Sequence, residues 1–228
     1  MKVHCKYLLE KGKVIAKTEI EEWPKKWNKE VLYWDLIKDS EDIPGEKLER
    51  ASIARALLRW QIVIKDLKFR RYNPRSGRQR IARAKPTIRV EFKVEDEVWA
   101  KSPGVLAYAY FPGQGTYSGK VVFNEKALWS LDGKSVAAWK HDSRYTRENK
   151  TKLRTYLIEH VLLHEFGHML GLKHDTKDKS SVMYPYYSGI LDLSNNDIKR
   201  IQSKYGARPN WNKWLIRLKG YFGRPIVE

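Results

Sequence analysis

The chain has 228 residues, of which 42% are hydrophobic and 32% charged, and this is typical of one domain, or at most two small ones, with a buried core. Its single cysteine, Cys5, excludes a fold held by intrachain disulfides and indicates a reducing compartment or independence from disulfides. No apolar run is long enough to span a membrane. Residues 1–11 carry charges where a signal peptide needs an apolar segment, so we expect a cytoplasmic protein or release by a route without a signal peptide.

The charge balance is strongly basic, with 45 Lys and Arg against 27 Asp and Glu, or a net charge of +18. This excess favours acidic partners such as nucleic acid, anionic membrane surfaces or acidic proteins. A basic surface without a dedicated partner explains the same composition, so the charge alone does not choose between these alternatives.

The first half of the chain predicts short strands around one long helix. Residues 3–9 and 13–20 are β-prone runs that predict a hairpin within an N-terminal extension, residues 1–26. A first core strand follows at residues 31–37, and apolar residues at helical spacing predict a helix from Gly45 to about residue 61. Two further strands are predicted at residues 67–72 and 87–94, the second with apolar side chains that alternate with charged ones.

A basic segment, residues 70–85, separates these two strands. Turn signals at residues 73–74 and 76–77 interrupt it, and it carries six arginines: Arg70, Arg71, Arg75, Arg78, Arg80 and Arg83. Two interpretations fit this pattern. The segment contacts nucleic acid or another polyanion, or it is a solvated extension of a hairpin.

The second half predicts two more strands, residues 105–110 and 120–124, and then a charged connection over residues 132–150. A long helix is predicted from about Thr151 to Leu170. The chain closes with an aromatic and basic tail, residues 207–228, whose apolar residues lie at near-helical spacing and which we expect to pack back on the domain.

Residues 164–174 carry the motif H-E-x-x-H-x-x-G-x-x-H, which predicts a catalytic zinc site. Residues four apart share one face of a helix, so His164 and His168 can direct two imidazole nitrogens to one point. Gly171 allows the positive φ that ends the helix, and the turn lets His174 return as a third ligand. Three neutral imidazoles leave a fourth zinc position open, and Glu165 lies beside the first ligand as the candidate general base.

Three further stretches make the chain resemble the metzincin zinc proteases, and within them the catalytic domain of the matrixins, over residues 27–206. Met183, in Ser-Val-Met-Tyr-Pro, matches the methionine turn below the zinc of that family. Residues 193–206 are similar to the family's last helix, and Ser194 with Asp197 predicts its start. Residues 103–113 resemble the edge strand that binds substrate and the loop after it.

This resemblance implies the fold and the substrate site. The expected fold is α+β, the zincin-like fold of the metzincins, with a mostly parallel, twisted five-stranded mixed sheet, two long helices, and a small C-terminal subdomain with the methionine turn and a final helix. An extended protein substrate would pair with the edge strand, and His160 would line the floor of a specificity pocket. The substrate-binding residues implied in this way are Gly104, Val105, Leu106, Ala107, Tyr108, His160, Tyr184, Pro185 and Tyr186.

The sequence departs from the matrixin pattern at several positions. The family holds a second, structural zinc with histidines, but the matching positions here are Tyr108 and Val122, so we predict one zinc ion per chain. Asn124 and Glu125 stand where the family has acidic calcium ligands, which leaves calcium binding in doubt. Asp175, after the third histidine, resembles the adamalysin branch more than the matrixins.

The function expected from motif and resemblance is that of a zinc-dependent endopeptidase, in which Glu165 acts as general base on a zinc-bound water. We expect it to act as a monomer on protein or peptide substrates. Two alternatives stay open at this point. One is a protein that binds a peptide or polyanion on a metzincin scaffold without turnover, and the other is a nucleic-acid-binding protein that works through residues 70–85.

Overall fold

The computed structural model describes residues 22–43, 45–74, 85–102, 104–133 and 155–212. The predicted N-terminal hairpin, most of the basic segment and most of the C-terminal tail lie outside these residues. Among the described residues, no helix has the length and apolarity needed to cross a membrane.

A five-stranded sheet forms the centre of the domain, in the order β2-β1-β3-β5-β4. Its strands are β1 (Val31–Lys38), β2 (Lys68–Arg71), β3 (Ile88–Lys93), β4 (Ala107–Ala109) and β5 (Lys120–Asn124). The first three and β5 pair in parallel, while β4 pairs antiparallel with β5 and ends the sheet. The predicted mostly parallel, five-stranded mixed sheet is confirmed.

Alternating side chains explain why the inner strands form. Buried residues alternate with partly exposed ones along β3, as in a strand with one face on the core, and Ile88, Val90 and Phe92 are its fully buried members. The parallel pairing of β1 with β2 requires a crossover connection, which helix α1 (Glu46–Gln61) supplies. Gly45, at φ 84°, precedes that helix in a conformation that favours glycine.

Helix α1 packs against helix α3 (Ile158–Met169), which carries the first two histidines of the motif, and polar contacts fix the pair as well as apolar ones. The Trp60 indole N–H donates to the Leu163 carbonyl at 2.9 Å. Glu159 is buried between Arg55 and Arg59, whose guanidinium groups donate to its two carboxylate oxygens. Because removing one partner of a buried ion pair leaves an uncompensated charge, loss of Glu159 or of either arginine should be strongly destabilising.

The prediction that the long helix begins at about Thr151 is wrong, because α3 begins at Ile158. Residues 155–157 instead form a short strand, β7 (Thr155–Leu157), which pairs in parallel with β6 (Leu128–Ser130). Neither of these strands was predicted, since three residues are too few to show a period of two. The edge strand is also shorter than predicted, with Ala107–Ala109 in place of residues 105–110.

Two more α-helices, and a short 3-10 helix at Gly115–Tyr117, lie among the described residues. A short helix, α2 (Glu97–Lys101), follows β3 and was not predicted. The last helix, α4 (Asn195–Tyr205), begins with a capping box in which Ser194 and Asp197 each accept a hydrogen bond from the other's backbone N–H. The predicted start of this helix is therefore confirmed at the residues that the sequence indicated.

Candidate metal centre

Helix α3 and the loop after it bring the three histidines of the motif together. One ring nitrogen from each of His164, His168 and His174 lies within 4.8 Å of the others, and all three side chains are buried. The Nε2 atoms of His164 and His168 are 3.0 Å apart, as expected for neighbours one turn apart on a helix. Among the described residues this is the one group of three potential ligands.

The other ring nitrogens are fixed by backbone carbonyls. His164 Nδ1 lies 2.6 Å from the Val182 carbonyl oxygen, and His168 Nδ1 lies 2.7 Å from that of Leu172. A carbonyl can only accept, so each Nδ1 carries the proton and each Nε2 presents a lone pair to the shared point. Such outer partners are what orient metal-binding imidazoles in proteins.

Burial keeps the three imidazoles neutral. It lowers the pKa of His164 and His168 well below the usual value, and the neighbouring histidines lower that of His164 further. Burial, followed by the charge of Arg200, lowers the pKa of His174 to about 4. Neutral imidazole is the form that binds a metal ion.

Glu165 is the buried polar group that most clearly lacks a partner. Its side chain is fully buried, and neither carboxylate oxygen has a hydrogen-bond partner among the described residues. Burial raises the pKa of this carboxyl well above the usual value. An unpaired buried carboxylate is costly, and a divalent cation beside His164 would offset that cost, so the residues present fit a zinc ion with three nitrogen ligands.

The methionine turn lies directly against the active-site helix. A Cβ built on Gly167 would lie 2.2 Å from the Met183 sulfur, so only glycine at that position leaves room for the methionine. Asp197 fixes the turn, since it accepts a hydrogen bond from the Val182 N–H at 3.0 Å and another from the Ser181 hydroxyl. A glycine inside a helical motif, as at Gly167, indicates close packing on that face of the helix, whereas no local pattern indicates the contact of Asp197 with the turn.

Asp175 joins the third histidine to the turn and to α4. Its backbone N–H donates to the Met183 carbonyl at 2.9 Å, and its buried carboxylate accepts from the backbone N–H groups of Lys177 and Asp178. The Asn196 side-chain amide donates to the same carboxylate. The acidic residue at this position therefore fixes the chain direction immediately after His174.

Apart from His160, the predicted substrate-binding residues fall into two groups. Val105, Leu106, Ala107 and Tyr108 lie in or just before β4 with buried side chains, so only their backbone and that of Gly104 can meet a substrate at the sheet edge. The second group follows the methionine turn, where the rings of Tyr184 and Tyr186, on either side of the buried Pro185, are 5.5 Å apart.

His160 is buried one turn before the first candidate ligand and contacts the segment after the methionine turn. Its Nδ1 lies 2.5 Å from the Ile190 carbonyl, and its ring meets the Tyr187 ring edge-on at 4.9 Å. Burial lowers the pKa of His160 to about 4, so the ring is neutral and Nδ1 donates. His160 therefore joins α3 to residues 187–190.

The positions that match the family's second zinc site hold no ligands. Tyr108 and Val122 lie opposite each other across the β4–β5 pair, and both belong to a buried cluster on the far side of β4 from α3. We call this the aromatic cluster, and its members are Val98, Trp99, Val105, Tyr108, Tyr110 and Val122. The Tyr108 hydroxyl donates to Asp96 at 2.9 Å.

The doubtful calcium ligands are engaged within the protein. The Asn124 amide N–H donates to the Val105 carbonyl at 3.0 Å, and its side-chain oxygen accepts from the Lys126 N–H. Glu125 accepts from the Glu41 N–H at 2.7 Å. Calcium binding at Asn124 and Glu125 therefore stays in doubt, as the sequence indicated.

Comparison with known proteins decides the family. The family model described as matrixin, a peptidase family, matches residues 26–206. The chain belongs to the matrixin family. Membership places it, at the level of the family, among the zinc endopeptidases, and the arrangement of His164, His168 and His174 fits the matrixin motif.

Several matrixins and related proteins show similar sequences. The chain is 31% identical to stromelysin-2 of Rattus norvegicus over 88% of this chain and 37% of that protein. It is 32% identical to stromelysin-1 of the same species over 79% of this chain and 33% of that protein. Karilysin of Tannerella forsythia is 26% identical over 90% of this chain and 38% of that protein. The chain thus spans between a third and two fifths of the length of these relatives.

Proposed function

We propose that this chain is an active zinc endopeptidase that cleaves peptide bonds in extended protein substrates. The observation that carries the proposal is the combination of three neutral, converging imidazoles with one buried carboxyl, Glu165, that has no hydrogen-bond partner among the described residues. A protein that only binds peptides does not need such a carboxyl, and an unpaired buried acid is costly to keep.

The residues of the chain divide the work as follows. His164, His168 and His174 would hold the zinc ion. A zinc ion bound there supplies a Lewis acid that polarises the scissile carbonyl and makes a water molecule more acidic. Glu165 accepts the proton of the attacking water and then delivers it to the leaving amine, so it ends each cycle in its starting state.

The edge of the sheet orients the substrate. Because β4 ends the sheet and its side chains are buried, an extended peptide would pair with its backbone, as in other cases of strand addition. Tyr184, Pro185 and Tyr186 would form one wall of the pocket beside the cleaved bond. His160 would support its floor by holding residues 187–190.

Cleavage of a quenched casein substrate by the wild type and by Glu165→Ala tests this proposal. The variant should keep its zinc and fold but lose about 10²- to 10⁴-fold in rate, the usual contribution of a general base. Glu46→Ala, which changes an exposed glutamate on α1, is the matched control and should cleave like the wild type. Equal rates for Glu165→Ala and the wild type would refute the mechanism, and no cleavage by folded, zinc-loaded wild type would favour a binding role.

A further inference from the structure

The segment just before the first strand lies across the loop that joins α3 to the third histidine. We call this segment, residues 22–27, the N-terminal strap. The Trp23 backbone N–H donates to the Gly171 carbonyl at 3.2 Å, and the Trp27 indole N–H donates to the Met169 carbonyl at 2.9 Å. Two backbone carbonyls at the end of the active-site helix therefore have their partners in the strap.

The strap and the loop are in close contact at Gly171, where a larger residue would require its neighbours to shift. A Cβ built on Gly171 would lie 3.2 Å from the Lys25 carbonyl oxygen and 2.8 Å from the side chain of Lys204. Gly171 also has φ +97°, which other residues rarely adopt. This glycine thus serves two purposes, the turn towards the third histidine and the seat of the strap.

Aromatic packing continues the contact to the second histidine. The Trp23 ring stacks on the Phe111 ring with centroids 4.8 Å apart, and the Trp23 indole N–H donates to the Pro112 carbonyl at 2.8 Å. Phe111 in turn meets the His168 ring edge-on at 5.7 Å. Trp23 of the strap therefore reaches the second histidine through one intervening ring, that of Phe111.

Glu22 joins the end of the strap directly to Lys173, and through Arg200 to Asp175, the two residues that flank the third histidine. One of its carboxylate oxygens accepts from the Lys173 N–H at 3.0 Å, and the other accepts from the Arg200 guanidinium. Arg200 also donates to the Lys173 carbonyl at 2.6 Å and lies 3.6 Å from the Asp175 carboxylate. Glu22 and Arg200 together bracket His174 through its two chain neighbours.

We propose that the N-terminal strap is a positioning element for the metal centre, with Glu22 and Arg200 holding His174 in place to bind zinc. This inference rests on the proposed function only in that it concerns the same site. Neither residue belongs to the zinc-binding motif, and Glu22 lies 178 positions from Arg200 in the chain. Changes to groups that orient metal ligands typically cost 10- to 100-fold in metal affinity, about the effect expected here.

The rate at which zinc passes from the purified protein to a chromogenic chelator tests the proposal. Glu22→Ala should release zinc about 10-fold faster than the wild type. Arg200→Ala should release it at least as fast, and the double variant should be little worse than the worse single variant, because the two residues act as a pair. Glu46→Ala, which removes a Glu–Arg pair on the exposed side of α1, is the matched control and should release zinc like the wild type.

A second variant and a second signal separate positioning from general stability. Glu22→Gln keeps the size of the side chain but sets an amide N–H₂ against a donor, so it should also speed zinc release in a chain that folds normally. With cobalt in place of zinc, both Glu22 variants should shift the visible absorption bands, which respond to ligand geometry. Wild-type zinc release and wild-type cobalt bands in both variants would overturn the proposal, even if thermal stability falls.

The casein assay on the same samples distinguishes the two proposals. A wild type that holds zinc but does not cleave, with Glu22 variants that release zinc faster, would refute the proposed activity and leave the role of the strap intact. A wild type that cleaves, with Glu22 variants that hold zinc equally well, would refute the strap alone. A folded wild type that binds no zinc would refute both.

Discussion

The two faces of the edge strand β4 are both buried, but by different kinds of side chain. Ala107 and Ala109 belong to the main core, and their small side chains let the active-site helix α3 approach the strand. On the other face, Tyr108 enters the aromatic cluster with Trp99 and Val122. The metal centre, on the α3 side, brings buried polar groups together at a point where a cation fits. The aromatic cluster, on the other side, is filled by aromatic rings and valines.

The difference lies in what each region requires in order to be stable. The metal centre contains three converging imidazoles and the carboxyl of Glu165, which has no hydrogen-bond partner in the part of the chain that the structure describes, and this arrangement is costly without a cation. The aromatic cluster is stable through apolar burial and ring contacts, such as the Trp99–Tyr108 pair at 5.4 Å. Changes in one region should therefore affect zinc binding, and changes in the other should affect stability alone.

Trp99→Ala tests the independence of the aromatic cluster and should give the largest loss of stability. The side chain is almost fully buried, so its removal should cost about 3 to 5 kcal/mol of the free energy of unfolding. Urea unfolding gives this energy, and metal analysis of the folded variant should still find the zinc content of the wild type. Zinc loss in the folded variant would show that the two regions are coupled.

Gly167→Ala tests how tightly the methionine turn packs against the metal centre. Alanine in place of glycine normally stabilises a helix by about 1 kcal/mol. Here the new methyl group would meet the Met183 sulfur, and overpacking of this kind costs about 1 to 3 kcal/mol. We expect a net loss in thermal unfolding, and a variant more stable than the wild type would contradict the packing described.

Glu49→Gln tests how a buried carboxyl outside both regions affects stability. Burial raises the pKa of Glu49 to about 8, although the Ser40 N–H donates to one oxygen. Because the folded-state pKa is raised, the stability that protonated Glu49 contributes is fully present below pH 4.5 and is lost as the pH rises through about 8.

Between pH 6 and pH 7, Glu49 should therefore lower the free energy of unfolding by about 1 kcal/mol in the wild type. Glutamine is neutral at every pH, so this decrease in the free energy of unfolding should be absent from the variant. Urea unfolding of both proteins at the two pH values measures it, and parallel slopes would show that Glu49 does not titrate in this range.

The sequence predicted the features that repeat with a regular period or match a local motif. The three histidines, the capping box of Ser194 and Asp197, and the alternating strand β3 all depend on residues close together in the chain. The order of the strands came only from the resemblance, since periodicity indicates strands but not their neighbours.

The parts that the sequence did not predict depend on distant or very short contacts. Strands β6 and β7 have three residues each and are joined through pairing of Trp129 with Tyr156, which no local pattern indicates. The contact of Glu22 with Arg200 joins residues 178 positions apart, and that of Asp197 with Ser181 joins residues 16 positions apart, so no local pattern indicates either. The support that we propose they give to the metal centre follows only from the folded structure.

If a single zinc ion, bound by His164, His168 and His174, is responsible for peptide cleavage, stepwise addition of zinc to the metal-free protein should show it, with casein cleavage followed at each step. We expect no cleavage without zinc and a rise in rate that levels off at about one equivalent per chain. A rate that continues to rise up to a second equivalent, or cleavage by the metal-free protein, would show that this assignment is wrong.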